Sequence, residues 1–320
     1  MSEHVPHEVN YFTPKRVSEN CDLIIHQEAL TGLRYTLDHF SDVFDPEEIA
    51  ADNMDLVSAK DRFKKKSQRE SPETINNMDF AKKRSEALEI IIADQIELSD
   101  WFGGNSLFFR TTEYDDLFNG TDAVVEFDIG EKPERLALAI DSTSSTDMFL
   151  IEEKVDRNVA KLLNNNLEIK YFESQIDGYK GSIKNTVPVV IGLEAGNTTD
   201  LINIFASIIK FKQKVDDPSV ENNERMNAKQ NYSRIKKEVT RHPAQMVFLR
   251  EIKLQLEMYQ RILAREKNPN IAVKESDITR LRKIISDVLG EKKQVDQSPE
   301  MLVLKEDAVY NMISYVSGKK

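Results

Sequence analysis

The sequence predicts an α/β protein: a mixed central sheet flanked by helices, with a helical extension at each end. Three observations carry that expectation. Between residues 106 and 195, short runs rich in β-branched and aromatic residues alternate with amphipathic helical stretches. The chain before about residue 79 and after about residue 214 follows helical patterning almost throughout. At 40% hydrophobic and 31% charged residues, the 320-residue chain has enough apolar material for a core and too much for a disordered polymer. The expected division is a helical N-terminal extension and linker over 1–78, an α/β core over 79–214, and a helical C-terminal domain over 215–320.

The elements follow in order. Residues 21–40 carry apolar positions at helical spacing, and a second helix begins at Asp45 and Pro46, an N-cap followed by proline at the first helical position. The polar stretch 64–77 breaks the pattern and reads as an exposed linker. Residues 79–102 form a strong helix with Leu88, Ile91, Ile92 and Ile96 on one face and Gly103 just past its end. Five strands are expected at 106–112, 122–128, 135–141, 167–174 and 187–195. Helices at 147–163 and 198–212 supply crossovers that bring parallel partners into a sheet begun antiparallel. The glycine-containing stretch 178–185 reads as a loop between strands. After 215, helices start at Pro243, within 274–290, and at Pro299 behind the N-cap Ser298, the last running to about 316.

The second and third strands are joined by a short loop containing Gly130 and Pro133, which suits a hairpin. If Asp128 pairs with Arg135, opposed residues sum to 263. Phe127, Val125 and Ala123 then face Leu136, Leu138 and Ile140 on a wholly apolar face. On the other face Glu126 meets Ala137, Val124 meets Ala139, and Asp122 meets Asp141. The alanines leave room for an overlying helix. A one-residue slip would bury Asp122 in the core, so this register is preferred. Two opposed aspartates repel. A shared proton, an intervening Lys or Arg, or a divalent cation would offset that. The neighbourhood offers hydroxyls and amides (Thr111, Thr112, Asn119, Thr121, Ser142, Thr143) and no obvious arginine, which favours a hard cation. Asp115 and Asp116 fall in the loop before the second strand. Glu126, four residues along from Asp122, is too far to share its ligand.

Composition excludes several classes. One cysteine, Cys21, permits neither a disulfide framework nor a Cys-rich zinc site and suits a reducing, cytoplasmic setting. No apolar run reaches membrane-spanning length, and the N-terminus lacks the pattern of a secretory signal. There is no GxxxxGK[ST] loop, and the hydroxyls after Asp141 lack a GxSxG setting. The net charge is −11, yet 214–293 carries 18 Lys and Arg against 12 Asp and Glu. That basic segment on an acidic body suits a local nucleic-acid surface. Within it Tyr232, Arg234, Lys236, Lys237 and Arg241 interleave an aromatic residue with cations.

The helix, the strand aspartates and the order of elements resemble the PD-(D/E)xK, or restriction-endonuclease-like, nuclease superfamily over roughly residues 80–213. Asp122 matches the first motif aspartate and Asp141 the second acid. Glu89 is the preferred helix acid over Glu86, because it flanks the apolar stripe about 100° from Leu88. The resemblance implies Mg²⁺ or Mn²⁺ held by Asp122, Asp141 and Glu89, and hydrolysis of nucleic-acid phosphodiesters, DNA before RNA. The motif lysine is missing: Thr143 stands in its place. Some relatives carry that lysine on the following helix, where Lys154 is the candidate. Catalysis is thus expected of Asp122, Asp141 and Lys154, and substrate contact of Thr143, Lys236 and Lys237. The C-terminal helices would grip the substrate or form a homodimer. Two alternatives stay open: a non-catalytic nucleic-acid-binding protein on the same fold, because of Thr143, and a helical interaction protein whose helices at 243–266 and 299–316 pack on a partner.

Overall fold

The computed structural model describes residues 13–31, 34–130, 136–164, 166–184, 186–266 and 272–320. Helix α1 (Pro14–Thr31) is followed by a 3-10 turn (Leu37–Phe40), α2 (Pro46–Ser67) and α3 (Pro72–Ser99). Asp45 caps α2 as its side chain accepts from the Glu47 amide at 2.8 Å. The stretch expected to be a linker is mostly helix. Only residues 68–71 separate α2 from α3, because Ser71 caps a new helix with Pro72 at its first position. Asp100 ends α3 in the left-handed conformation (φ 51°), which turns the fully buried Trp101 and Phe102 back into the core.

The sheet consists of β1 (Ser106–Arg110), β2 (Ala123–Phe127), β3 (Ala137–Thr143) and β6 (Val187–Gly192), in the order β1-β2-β3-β6. β1–β2 and β2–β3 are antiparallel, and β6 joins β3 in parallel. The expected register holds from Ala123↔Ile140 to Glu126↔Ala137, and the Phe127 amide donates to the Leu136 carbonyl at 2.9 Å. The Asp128–Arg135 pair lies outside the described residues. Between β1 and β2 runs a helix, α4 (Glu113–Asn119), where a loop was expected. Thr112 caps its start and Gly120 (φ 55°) its end. After α5 (Met148–Asn164), β4 (Ile169–Glu173) pairs with β5 (Lys180–Ile183) as a separate hairpin. The fourth expected strand therefore does not join the main sheet, and residues 180–183, within the stretch expected as a loop, supply its partner.

Alternation sends the two sheet faces into two cores. Ala123, Val125, Phe127, Leu136, Leu138 and Ile140 enter the larger one, together with α3, α5, α6 (Ala195–Asp216) and the C-terminal helices. Val124, Ala137 and Ala139 enter the smaller one. A helix is only part of its cover. The β4–β5 hairpin, the 3-10 turn and α2 supply it, with Phe172 against Phe109 and Tyr171 against Phe40. Small alanines admit these large rings. Asp52 of α2 locks the arrangement by accepting from the Tyr171 hydroxyl at 2.6 Å.

The C-terminal helices are α7 (Asn222–Thr240), α8 (Ala244–Leu263), α9 (Ala272–Glu291), α10 (Lys293–Asp296), α11 (Pro299–Leu304) and α12 (Ala308–Lys319). The single helix expected over 299–316 is split, because Asp307 caps α12 by accepting from the Val309 and Tyr310 amides. Ser298 caps α11 as expected. The larger core runs without interruption from Val17 to Val316, across the boundaries expected near 78 and 214. α8 lies inside it. Its partly exposed side carries Arg250, Lys253, Glu257 and Arg261, and the rest of the helix is largely packed.

α8 also closes the sheet. β6 is an edge strand, and exposed edges invite unwanted pairing. Three α8 side chains at four-residue spacing satisfy its outward backbone groups. Glu251 accepts from the Gly192 amide at 2.9 Å, Gln255 bonds both the amide and carbonyl of Val190, and Tyr259 donates to the Pro188 carbonyl at 2.8 Å. Pro188, which has no N–H, sits at an outward position where the ladder to β3 loses nothing.

Candidate functional site

The ends of β2 and β3, the start of α5 and the middle of α3 converge on one cluster of charges. The ladder stops at Ala123↔Ile140. Beyond it the Asp122 amide donates to the Ile140 carbonyl at 2.8 Å, one residue off the register, as at a β-bulge. Asp122 and Asp141 are therefore offset rather than directly opposed as expected. The Asp122 Oδ2 accepts from both the backbone amide (2.6 Å) and the hydroxyl (2.8 Å) of Ser142.

Asp141 is buried and doubly paired. Lys154 donates to its Oδ1, and Arg157 to its Oδ2 at 2.7 Å. The expectation that no arginine stands nearby is thus corrected. α5 delivers Arg157 one turn after Lys154, on the same helix face. That spacing was readable in the sequence once 147–163 was taken as a helix. Gly120 makes room for it: a Cβ there would lie 3.1 Å from the Arg157 guanidinium. One further turn along, Lys161 donates to the Asn119 carbonyl. The cationic face of α5 thus lies along the carboxylate ends of the sheet.

Glu89 comes off α3 toward the same cluster. Its carboxylate accepts from Arg110 Nη2 at 3.3 Å, and Arg110 also pairs with Glu28. Burial, then the charge of Asp122, pushes the Glu89 carboxyl well above its ordinary range. Burial, then Asp141, pushes Asp122 up to about 7. Burial alone would lower the Lys154 ammonium, but Asp141 and Asp122 outweigh it and hold it above its ordinary value. Glu89, Asp122, Asp141 and Lys154 are therefore electrostatic neighbours. For Glu86 no such contact with the aspartates is found; it acts on Arg110.

Other expected residues go elsewhere. Thr143 is 5% exposed and its hydroxyl accepts from the Ser145 amide at 3.1 Å. Asp115 is a structural anchor: it accepts from the Lys170 and Tyr171 amides and fastens α4 to β4. Asp116 pairs with Arg34 at 2.5 Å, close enough to raise Asp122 further. Glu126 accepts from Ser174 and the Gln175 amide. Lys236 and Lys237 project from α7 into two different cavities, Lys236 acting on Asp94 of α3.

The carboxylate oxygens of Asp122, Asp141 and Glu89 are hard donors, and their mutual repulsion is the state a divalent cation relieves. That chemistry fits Mg²⁺ or Mn²⁺. The arrangement does not close round one point: among the described residues no three His, Cys, Asp or Glu side chains stand together as a metal site. Both oxygens of Asp141 are already engaged by cations. Among the described residues, no helix is long and apolar enough to cross a membrane. Compared with known proteins, the chain matches no family model, no curated protein and no solved structure.

Proposed function

We propose that this chain is a nucleic-acid phosphodiester hydrolase on a restriction-endonuclease-like core, acting on DNA before RNA. One observation carries the reading: Lys154, from the helix after the strand, pairs with Asp141 at the strand end where the motif position itself holds Thr143. With α4 and the separate β4–β5 hairpin set aside, the order helix, three strands, helix, parallel strand, helix supports it. Asp122 and Asp141, with Glu89, are the residues that would hold Mg²⁺ or Mn²⁺. Bound there, the ion would lower the pKa of a water and screen the phosphate. Lys154, kept protonated by its two aspartate neighbours, is suited to stabilise charge on the phosphate and unsuited to take a proton from water. Burial and Asp141 favour the protonated form of Asp122, and a bound cation would favour its ionised form.

A second reading is favoured by a specific observation. Lys154 and Arg157 together neutralise Asp141, which is what a binding protein that has lost hydrolysis would keep. Cleavage assays on single- and double-stranded DNA and RNA, with and without Mn²⁺, separate the two. Mn²⁺-dependent cleavage abolished by Asp141→Ala supports the hydrolase. Nucleic-acid binding with no cleavage of any substrate supports the binding protein.

A further inference from the structure

The basic segment singled out in the sequence forms one wall of a large cleft. α7 presents Lys229, Ser233, Lys237 and Arg241 at four-residue spacing to a cleft of 1420 Å³, whose other wall is α10 and the residues after it. All three cations are exposed, and among the described residues none has an acidic partner, whereas the neighbouring Arg234 is neutralised by Glu238 at 2.6 Å. Unpaired cations gathered on one face of a chain with net charge −11 are poised for an anion from outside. At 1.5 Å rise per residue, Lys229 and Lys237 stand about 12 Å apart and Lys237 and Arg241 about 6 Å apart along the helix. A single phosphate needs its donors to converge, and these are strung out, so they match a ligand that repeats its charge. Met226 of α7, Val295 of α10 and Ile204 of α6 add apolar side chains to its lining. A duplex hides its bases from such a lining; a single strand can lay them on it.

We propose that the cleft between α7 and α10 binds single-stranded nucleic acid, with Lys229, Lys237 and Arg241 on the phosphates and the apolar side chains Ile204, Met226 and Val295 against the bases. This extends the hydrolase reading and is separable from it, since binding here needs neither a metal nor Asp141.

The test is fluorescence anisotropy of a labelled oligothymidylate of roughly 20 nucleotides, titrated with the full chain in chelator. It compares the wild type with Lys229→Ala/Lys237→Ala/Arg241→Ala. The three positions are exposed, and unchanged melting curves establish that the variant folds. At about 0.7 per phosphate contact, the triple variant should flatten the slope of log affinity against log salt by about 2. Between about 50 and 200 mM salt the wild type should then lose about 20-fold more affinity than the variant. A Lys64→Ala/Lys65→Ala/Lys66→Ala control on α2 should bind as the wild type. An unchanged affinity and slope in the cleft variant overturns the proposal. So does a wild type that fails to bind the strand, binds duplex of the same sequence more tightly, or releases the strand equally well to polyphosphate of matched charge. Because the assay excludes metal and cleavage, its failure leaves the hydrolase reading to the cleavage assays, and their failure leaves this one standing.

Discussion

Lys154 reaches Asp141 from the helix after the strand, thirteen residues along the chain, and its ammonium also donates to the Ser142 carbonyl at 3.1 Å. That geometry makes two substitutions informative together. Lys154→Ala should lower cleavage about 100-fold with little change in substrate affinity, as expected for a group that stabilises charge in the transition state. Thr143→Lys should not restore activity to it. Thr143 is buried, its Cγ2 packed beside Gly192, so a lysine there would be an uncompensated interior charge. Single-turnover kinetics and melting temperatures of both variants decide the matter. Rescue by Thr143→Lys would refute this placement of the lysine role.

Arg157 competes with any cation for Asp141 Oδ2. Arg157→Ala should therefore tighten Mn²⁺ binding by about tenfold, the removal of roughly 1.4 kcal/mol of competition. Titration calorimetry measures it. Weaker or unchanged binding would mean that Asp141 is not a ligand.

Asp122 sits at about 7 because of burial and then Asp141. A ligand must be deprotonated, so Mn²⁺ affinity should rise with pH through that value, by about tenfold from pH 6 to pH 8, with proton release on binding. Calorimetry in buffers of different ionisation enthalpy reads the protons released. A flat profile would remove Asp122 from the site.

Glu251 is buried, and burial holds its carboxyl well above the ordinary 4.5. The folded state therefore prefers the protonated acid. Its contribution to stability is fully present below the unfolded pKa and is lost as pH rises toward the folded one. Glu251→Gln removes that dependence while keeping an acceptor for the Gly192 amide. It should raise stability by about 1–3 kcal/mol at pH 8 and change little at pH 4, measured by urea unfolding. Greater stability of the wild type at pH 8 would show that the charged form is accommodated.

Gly192 ends β6 where that strand crowds the end of β3. A Cβ there would lie 2.2 Å from the Thr143 carbonyl oxygen. Gly192→Ala should cost about 3 kcal/mol or more, since backbone on both sides must shift. Because the shift reaches Asp141 through β3, Mn²⁺ binding should weaken with it.

The β2–β3 register, with its apolar and alanine faces, was legible because side-chain alternation and the hairpin's length are local properties. So were the Asp45 and Ser298 caps. The strands of the main sheet and the crossover helices α5 and α6 could be read in the same way. What lay beyond the sequence pattern was set by contacts between distant segments. Residues 180–183 lie in a polar, glycine-bearing stretch and become a strand because β4 offers them hydrogen bonds. The alanine face takes aromatic rings from a hairpin and the N-terminal elements, since burial rewards whatever apolar surface fits and does not prescribe its type. Asp122 slips one residue out of register at the sheet's end, where the ladder no longer holds it and Ser142 offers two hydrogen bonds. Arg157 finds Asp141 because α5 crosses Gly120 at close range. Local pattern dictated which residues could form the carboxylate cluster. The packing of α5 across the sheet ends decided which cations answer it, because the partner of a buried charge is chosen by distance in space and not by separation in sequence.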